Sequence, residues 1–262
     1  DEYKTGKDLF DKSLYLPSMY EMEEYIKVPD QPHFDKFERL VRDAKANSVI
    51  SSLRLELPQA ENEVITFIDE FFPDPISQPV ILELASYYYN NKRYTDAVFY
   101  YEKLDLNDLG LLEMSEASFK KGYSLFVQKK FVEAQKEFAR VKEVRNEYFY
   151  PVNYYHGMTQ YFANDFSGSV ESFKKASEST VYGPYIPYYL TQIYFAQKEY
   201  DKLIAYGEQK INEPQVNNRK EIRQLLGQAY YIKRDFARAL PHLEYYEENT
   251  PKLTVEEFYQ LA

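Results

Sequence analysis

Residues 120 to 141 read KKGYSLFVQKKFVEAQKEFARV. Apolar residues recur at helical spacing in two short runs, and Gly122 falls inside the first of them. Glycine in a helix interior costs about 0.5–1 kcal/mol against alanine, so its place there needs a reason. Twelve residues after it stands Ala134, followed four later by Phe138 and three after that by Val141. The aromatic Phe131 lies three before the alanine.

The same register recurs along the chain. Ala85, Ala97, Tyr101 and Leu104 obey it with Tyr94 in the aromatic slot, as do Gly157, Ser169, Phe173 and Ala176 with Phe166, and Gly227, Ala239, Leu243 and Tyr246 with Phe236. Upstream copies begin at Gly6 (Ser18, Met22, Tyr25, with Tyr15) and Ser48 (Ala60, Val64, Phe67, with Leu57). A seventh, from Thr191, carries Leu203 and Gly207 with small and bulky residues exchanged, which predicts a loosened joint. Successive first small residues are 42, 37, 37, 35, 34 and 36 positions apart. Seven copies at this period specify stacked helix pairs. A small residue on each helix lets the two backbones approach, and the bulky positions fill the remaining gap.

This register resembles the tetratricopeptide repeat, whose small eighth, alanine twentieth and bulky twenty-fourth positions match Gly122, Ala134 and Phe138. Prolines near the expected thirty-second position are Pro29, Pro73, Pro214 and Pro251. Pro17 and Pro58 stand at the starts of second helices, where a missing N–H costs little, and Pro241 predicts a local kink. The resemblance covers the whole chain and implies an all-α, right-handed superhelical solenoid of antiparallel helix pairs. The expected repeats are 1–32, 33–77, 78–114, 115–149, 150–183, 184–219 and 220–253, with an eighth beginning at 254–262. The second is lengthened by VPDQPHF at 28–34. FYQLA at 258–262 reads as a first helix cut at its small residue, so the chain is expected to be a fragment of a longer array, able to self-associate through an uncapped C-terminal end.

Composition narrows the function. Of 262 residues 44% are apolar and 18% aromatic, with 28 Tyr and 18 Phe, which describes a packed protein with wet-edged apolar surfaces. Lys and Arg number 32 against 42 Asp and Glu, a net charge of −10 with no basic cluster, so nucleic acid and anionic lipid are poor partners. Cysteine is absent, which excludes disulfides, thiol nucleophiles and thiolate metal sites. No apolar run reaches about 18 residues, so no direct membrane insertion is expected. DEYKTGKDLF at the start lacks the form of a secretion signal.

Catalytic constellations do not emerge. His33, His156 and His242 belong to different repeats, and no pair has the spacing that places two ligands on one helical face. Glu23-Glu24 and Glu247-Glu248 read as solvated helix faces. No glycine loop cradles a phosphate, and no cofactor is expected.

A surface remains. The resemblance implies that first helices line a concave groove, reached by the residues four after, three before and one after the first small residue. Four after gives Tyr89, Phe126, Tyr161, Phe195 and Tyr231, aromatic every time. Three before gives Leu82, Phe119, Tyr154, Tyr188 and Gln224, and one after includes Tyr123 and Gln192. The candidate groove residues are Tyr89, Phe119, Tyr123, Phe126, Tyr154, Tyr161, Tyr188, Phe195 and Tyr231, a ladder suited to an extended polypeptide. The competing reading is that these rings pack against second helices. Lys, Asn and Arg of the terminal-carboxylate-gripping members are missing at these positions, although Lys120 and Arg223 offer isolated charges.

The expected function is therefore a non-catalytic scaffold for other proteins or peptides. Alternatives are a glycan-binding module using the same rings, or a structural spacer. The Tyr-rich units look similar to bacterial cell-envelope members of the family, the periplasmic division coordinators and the lipoproteins that assist barrel assembly. That implies a setting in the periplasm or at the outer-membrane periphery, with a cytoplasmic one still open.

Overall fold

The computed structural model describes residues 2–27 and 35–250. His33, Pro29, Pro251, the VPDQPHF stretch and the expected eighth repeat lie outside them. Among the described residues there are fourteen α-helices and no strand. Two compact units divide the chain after Lys130. The first holds α1 (Glu2–Asp11), α2 (Tyr15–Ile26), α3 (Asp35–Arg54), α4 (Ala60–Phe71), α5 (Gln78–Asn90), α6 (Tyr94–Tyr101) and α7 (Leu111–Val127). The second holds α8 (Phe131–Val141), α9 (Phe149–Phe162), α10 (Phe166–Ala176), α11 (Ile186–Ala196), α12 (Tyr200–Lys210), α13 (Arg219–Ile232) and α14 (Phe236–Glu248). Pro17 lies in the first turn of α2, Pro58 lies two residues before α4, and α14 runs unbroken through Pro241.

The reason for the small residues is visible in the hairpins of Gly6, Gly157 and Gly227. A Cβ on Gly157 would lie 2.8 Å from the Phe173 ring, and one on Gly227 would lie 2.6 Å from Leu243. In both cases the partner is the bulky residue sixteen positions on, and it is buried. At Gly6 the equivalent contact is the flexible Met22, at 3.2 Å. Where the second small residue is serine, its hydroxyl donates to the first one's carbonyl: Ser18 Oγ to Gly6 O at 2.8 Å and Ser169 Oγ to Gly157 O at 2.9 Å. Close approach thus satisfies a polar group as well as packing a side chain. Gly122 is buried on α7, and Ala134, Phe138 and Val141 are buried on α8.

The exchanged pair behaves differently. Leu203 is fully buried, and a Cβ on Gly207 would meet Leu226 of the next first helix at 3.0 Å. The bulky side chain that α12 lacks is thus supplied by α13. Thr191 turns its hydroxyl back to Pro187 O and Tyr188 O on its own helix, at 3.0 and 2.8 Å. α11 and α12 pack less closely than α9 and α10, but so do α3 and α4, whose register is regular, so looser packing does not mark the exchange.

One turn joins first helix to second throughout. Ser13, Glu56, Lys92, Lys129, Asn164, Lys198 and Arg234 all have φ between 52° and 61°. The next residue's N–H returns to the carbonyl five before it, from Leu14 to Leu9 at 2.9 Å through Asp235 to Tyr230 at 2.9 Å. This is a Schellman closure, in which the left-handed position is normally glycine's. Here it is filled by residues that pay a steric penalty for it.

Arg54 ties the first three pairs together. Its guanidinium donates to the two Glu83 carboxylate oxygens at 2.8 and 2.6 Å and to Tyr15 Oη at 2.8 Å while covering the Tyr15 ring at 5.0 Å. Bidentate geometry of this kind is the form of ion pair that contributes to stability.

Two outcomes follow for thermal or denaturant unfolding. Gly157→Ala and Gly227→Ala each destabilise by about 1–2 kcal/mol, since overpacking outweighs the gain in helix propensity. Lys92→Gly and Lys198→Gly, at exposed positions, each stabilise by up to about 1 kcal/mol by relieving the left-handed strain.

Candidate interaction surface

The rings four after each small residue stand at the last turn of a first helix, five residues before the aromatic that opens the second. They pair across the turn. Ring centroids lie 5.8 Å apart for Phe10 and Tyr15, 6.1 Å for Tyr89 and Tyr94, and 6.1 Å for Tyr161 and Phe166. The distance is 5.6 Å for Phe195 and Tyr200 and 5.4 Å for Tyr231 and Phe236. Tilted or edge-on geometry at this distance is the favourable one for aromatic pairs. Each of these five rings on the first helices is therefore a hairpin fastener, and each remains half-exposed.

In the first unit the surface crosses from one pair to the next. Tyr89 on α5, Tyr94 on α6 and Tyr123 on α7 form a triangle of edge-on contacts, 5.7 to 6.1 Å between centroids. Lys120 Nζ lies 5.5 Å from the Tyr89 ring and 2.5 Å from Glu116 Oε1, so its charge is matched within the surface. Phe126 is half-buried at the end of α7. Phe119, 6.2 Å from Tyr123, is only 9% exposed and belongs to the core.

In the second unit a polar row runs between α9 and α11. Tyr161 Oη donates to Gln192 Oε1 at 3.1 Å, and Gln192 Nε2 donates to Tyr188 Oη at 2.7 Å. Burial raises the pKa of both phenols, so they stay protonated donors. Tyr154, also 9% exposed, packs on Tyr182 at 4.8 Å and on Phe173, and burial followed by its hydrogen bond with Tyr189 raises its pKa strongly. The position three before the small residue thus faces the core at Phe119 and Tyr154 and the surface at Tyr188. Tyr189, absent from the sequence-predicted set, joins Tyr154 and Tyr161 at 6.2 and 6.0 Å. Phe195 and Tyr231 lie beside separate core clusters built on Leu203 and on Leu243.

The buried histidines have structural partners. His156 Nδ1 is 2.9 Å from Ser172 Oγ, which donates to Gln160 Oε1 at 2.7 Å, and Gln160 Nε2 donates to Asp165 Oδ2 at 3.1 Å. Asp165 in turn caps α10 by accepting from the Gly168 N–H. Burial first, then the charges of Lys142 and Lys175 against those of Asp165 and Glu171, pushes the His156 pKa down to about 4. His242 stacks on Tyr230 at 5.8 Å with Glu208 Oε1 at 3.0 Å, and burial lowers its pKa too. Among the described residues no three or more His, Asp or Glu gather to hold a metal, and no helix is long and apolar enough to cross a membrane.

Solved structures share this arrangement of helix pairs. MamA AMB-1 matches with a TM-score of 0.56 and 15% identity, over 71% of this chain and 98% of that one. MamA MSR-1 gives a TM-score of 0.52 and 15% identity, over 66% and 96%. A tetratricopeptide repeat protein from Parabacteroides merdae ATCC 43184 gives 0.50 and 14%, over 99% and 96%. At such identities the likeness establishes the helical-repeat fold alone. No family profile and no curated protein sequence matches the chain.

His156 makes stability depend on pH. The unfolded chain takes up the proton first, near the usual histidine pKa of about 6.5, so stability falls as pH drops from there towards about 4. The loss totals about 3 kcal/mol. Comparing chemical denaturation of the wild type and His156→Gln across that range is expected to show a steeper loss in the wild type.

Proposed function

We propose that this chain is a non-catalytic protein-interaction scaffold that holds an extended segment of a partner protein on the aromatic face of its first helices. The observation that carries the proposal is the Tyr161–Gln192–Tyr188 row. Half-exposed rings offer apolar faces there, and the hydroxyls and the amide between them retain donor and acceptor capacity for a peptide main chain. Since every ring is already fixed by its neighbours, binding costs little side-chain ordering. The Tyr89–Tyr94–Tyr123 triangle offers a second such surface in the first unit. Protein partners also suit a fold whose stacked pairs present long surfaces. We place the scaffold in the bacterial cell envelope, on the likeness of its Tyr-rich repeats to envelope members of the tetratricopeptide family.

Alanine at Tyr161 would loosen a hairpin, so the informative variant keeps the rings and removes the polar groups: Tyr161→Phe, Tyr188→Phe and Gln192→Ala together. A random peptide display library is expected to enrich extended sequences on the wild type, with affinity at least about tenfold weaker on the variant, which keeps its helical content and a cooperative melting transition. Peptides that bind both forms equally, or binding only on a glycan array, would overturn the proposal. Cell fractionation is expected to recover the native protein with the envelope, and recovery from the cytosol would remove the assigned location.

A further inference from the structure

The net charge is unevenly divided. Up to Lys130 the sequence has 16 basic and 24 acidic residues, a net of −8, whereas the second unit has 16 against 18, a net of −2. The first unit therefore carries most of the field that attracts a cationic partner. A pocket of about 390 Å³ opens at its edge, where the turn between α3 and α4 meets α5. Its lining mixes apolar side chains, the buried Leu53 and Ala60 and the half-buried Leu57, with the exposed polar Gln59 and Asn62. Its walls carry the Tyr87 ring and the carboxylates of Glu56 and Glu61.

The same neighbourhood already shows which group these side chains suit. Arg93 places Nη1 at 2.9 and 3.1 Å from the two Glu61 oxygens while its guanidinium covers the Tyr88 ring at 4.3 Å. Tyr88 Oη donates to the same carboxylate at 2.8 Å. Guanidinium, carboxylate and tyrosine face thus form a closed set on one side of Glu61. On the pocket side stand a second tyrosine, Tyr87, and a second carboxylate, Glu56. Neither the Glu56 carboxylate nor the Tyr87 hydroxyl has a hydrogen bond or ion pair with any other described group. A guanidinium is the cation that a carboxylate and a tyrosine face already hold together in this neighbourhood.

We infer that this pocket is a socket for an arginine side chain of a partner protein. Its methylenes would lie on Leu53, Leu57 and Ala60, with the guanidinium against Tyr87 and between Glu56 and Glu61. The acidic field of the first unit would bring such a partner in, and the socket would fix its register. The inference is independent of the aromatic face of the first helices.

N-acetyl-arginine amide titrated into isotope-labelled full chain at low salt, followed by amide chemical shifts, tests it. Shifts are expected to centre on residues 53–62 and on Tyr87, with N-acetyl-lysine amide binding more weakly. Glu56→Gln and Tyr87→Ala should each weaken binding by about threefold or more, whereas Glu70→Gln, an equal charge change at the far end of α4, should leave it within about 1.5-fold. Both Glu56 and Glu70 are exposed, so neither substitution threatens folding. Shifts scattered over every acidic surface, equal binding of the lysine probe, or equal effects of Glu56→Gln and Glu70→Gln would overturn it.

Discussion

The closest approach of two helices, at a residue too small to hold them apart, is the constraint on which the rest of this structure depends. Gly157 and Gly227 have no room for a methyl group because Phe173 and Leu243 occupy it. With the crossing point fixed, the faces of both helices are fixed as well. Residues sixteen apart become core partners, and those four after the glycine come to the hairpin end. Helix propensity is sacrificed at one position, and a whole pair is placed in register.

The turn then decides what the aromatic surface is. A Schellman closure at each hairpin brings the end of the first helix against the start of the second. A ring on each side of that turn is within contact distance. The rings that would make the surface useful are therefore the ones that hold the hairpin shut. The two readings of the aromatic ladder, packing and recognition, are not exclusive: Tyr161 fastens its turn through Phe166 and donates to Gln192 with its hydroxyl. A residue serving both purposes is pre-ordered for binding, and its ring cannot be removed without disturbing the fold.

Much of this was legible in the sequence for a physical reason. Gly6, Gly157 and Gly227 stand at crossings where size alone decides, so the register of small and bulky residues survives wide variation elsewhere. The turns were not legible, since Lys92, Lys198 and Arg234 fill positions where glycine would have announced a left-handed residue. The surface was legible in part. Position alone cannot say that Phe119 and Tyr154 turn inward while Tyr188 stays half-exposed, because that depends on what the neighbouring second helix offers. Tyr189 escaped because its position was not among those expected to line the groove. The exchange of Leu203 and Gly207 was legible as a departure from the register, but that Leu226 of the following helix lies against Gly207 was not, because the register describes contacts within a pair and not between pairs.

The most direct test of the central constraint is a double-mutant cycle between Gly227 and Leu243 by equilibrium denaturation. If the close approach governs pairing, Leu243→Ala opens the space that Gly227→Ala needs. The two changes together then cost less than the sum of the singles, by about 1 kcal/mol or more. Strictly additive losses would mean that the glycine and the leucine stabilise the pair independently, and would contradict the account.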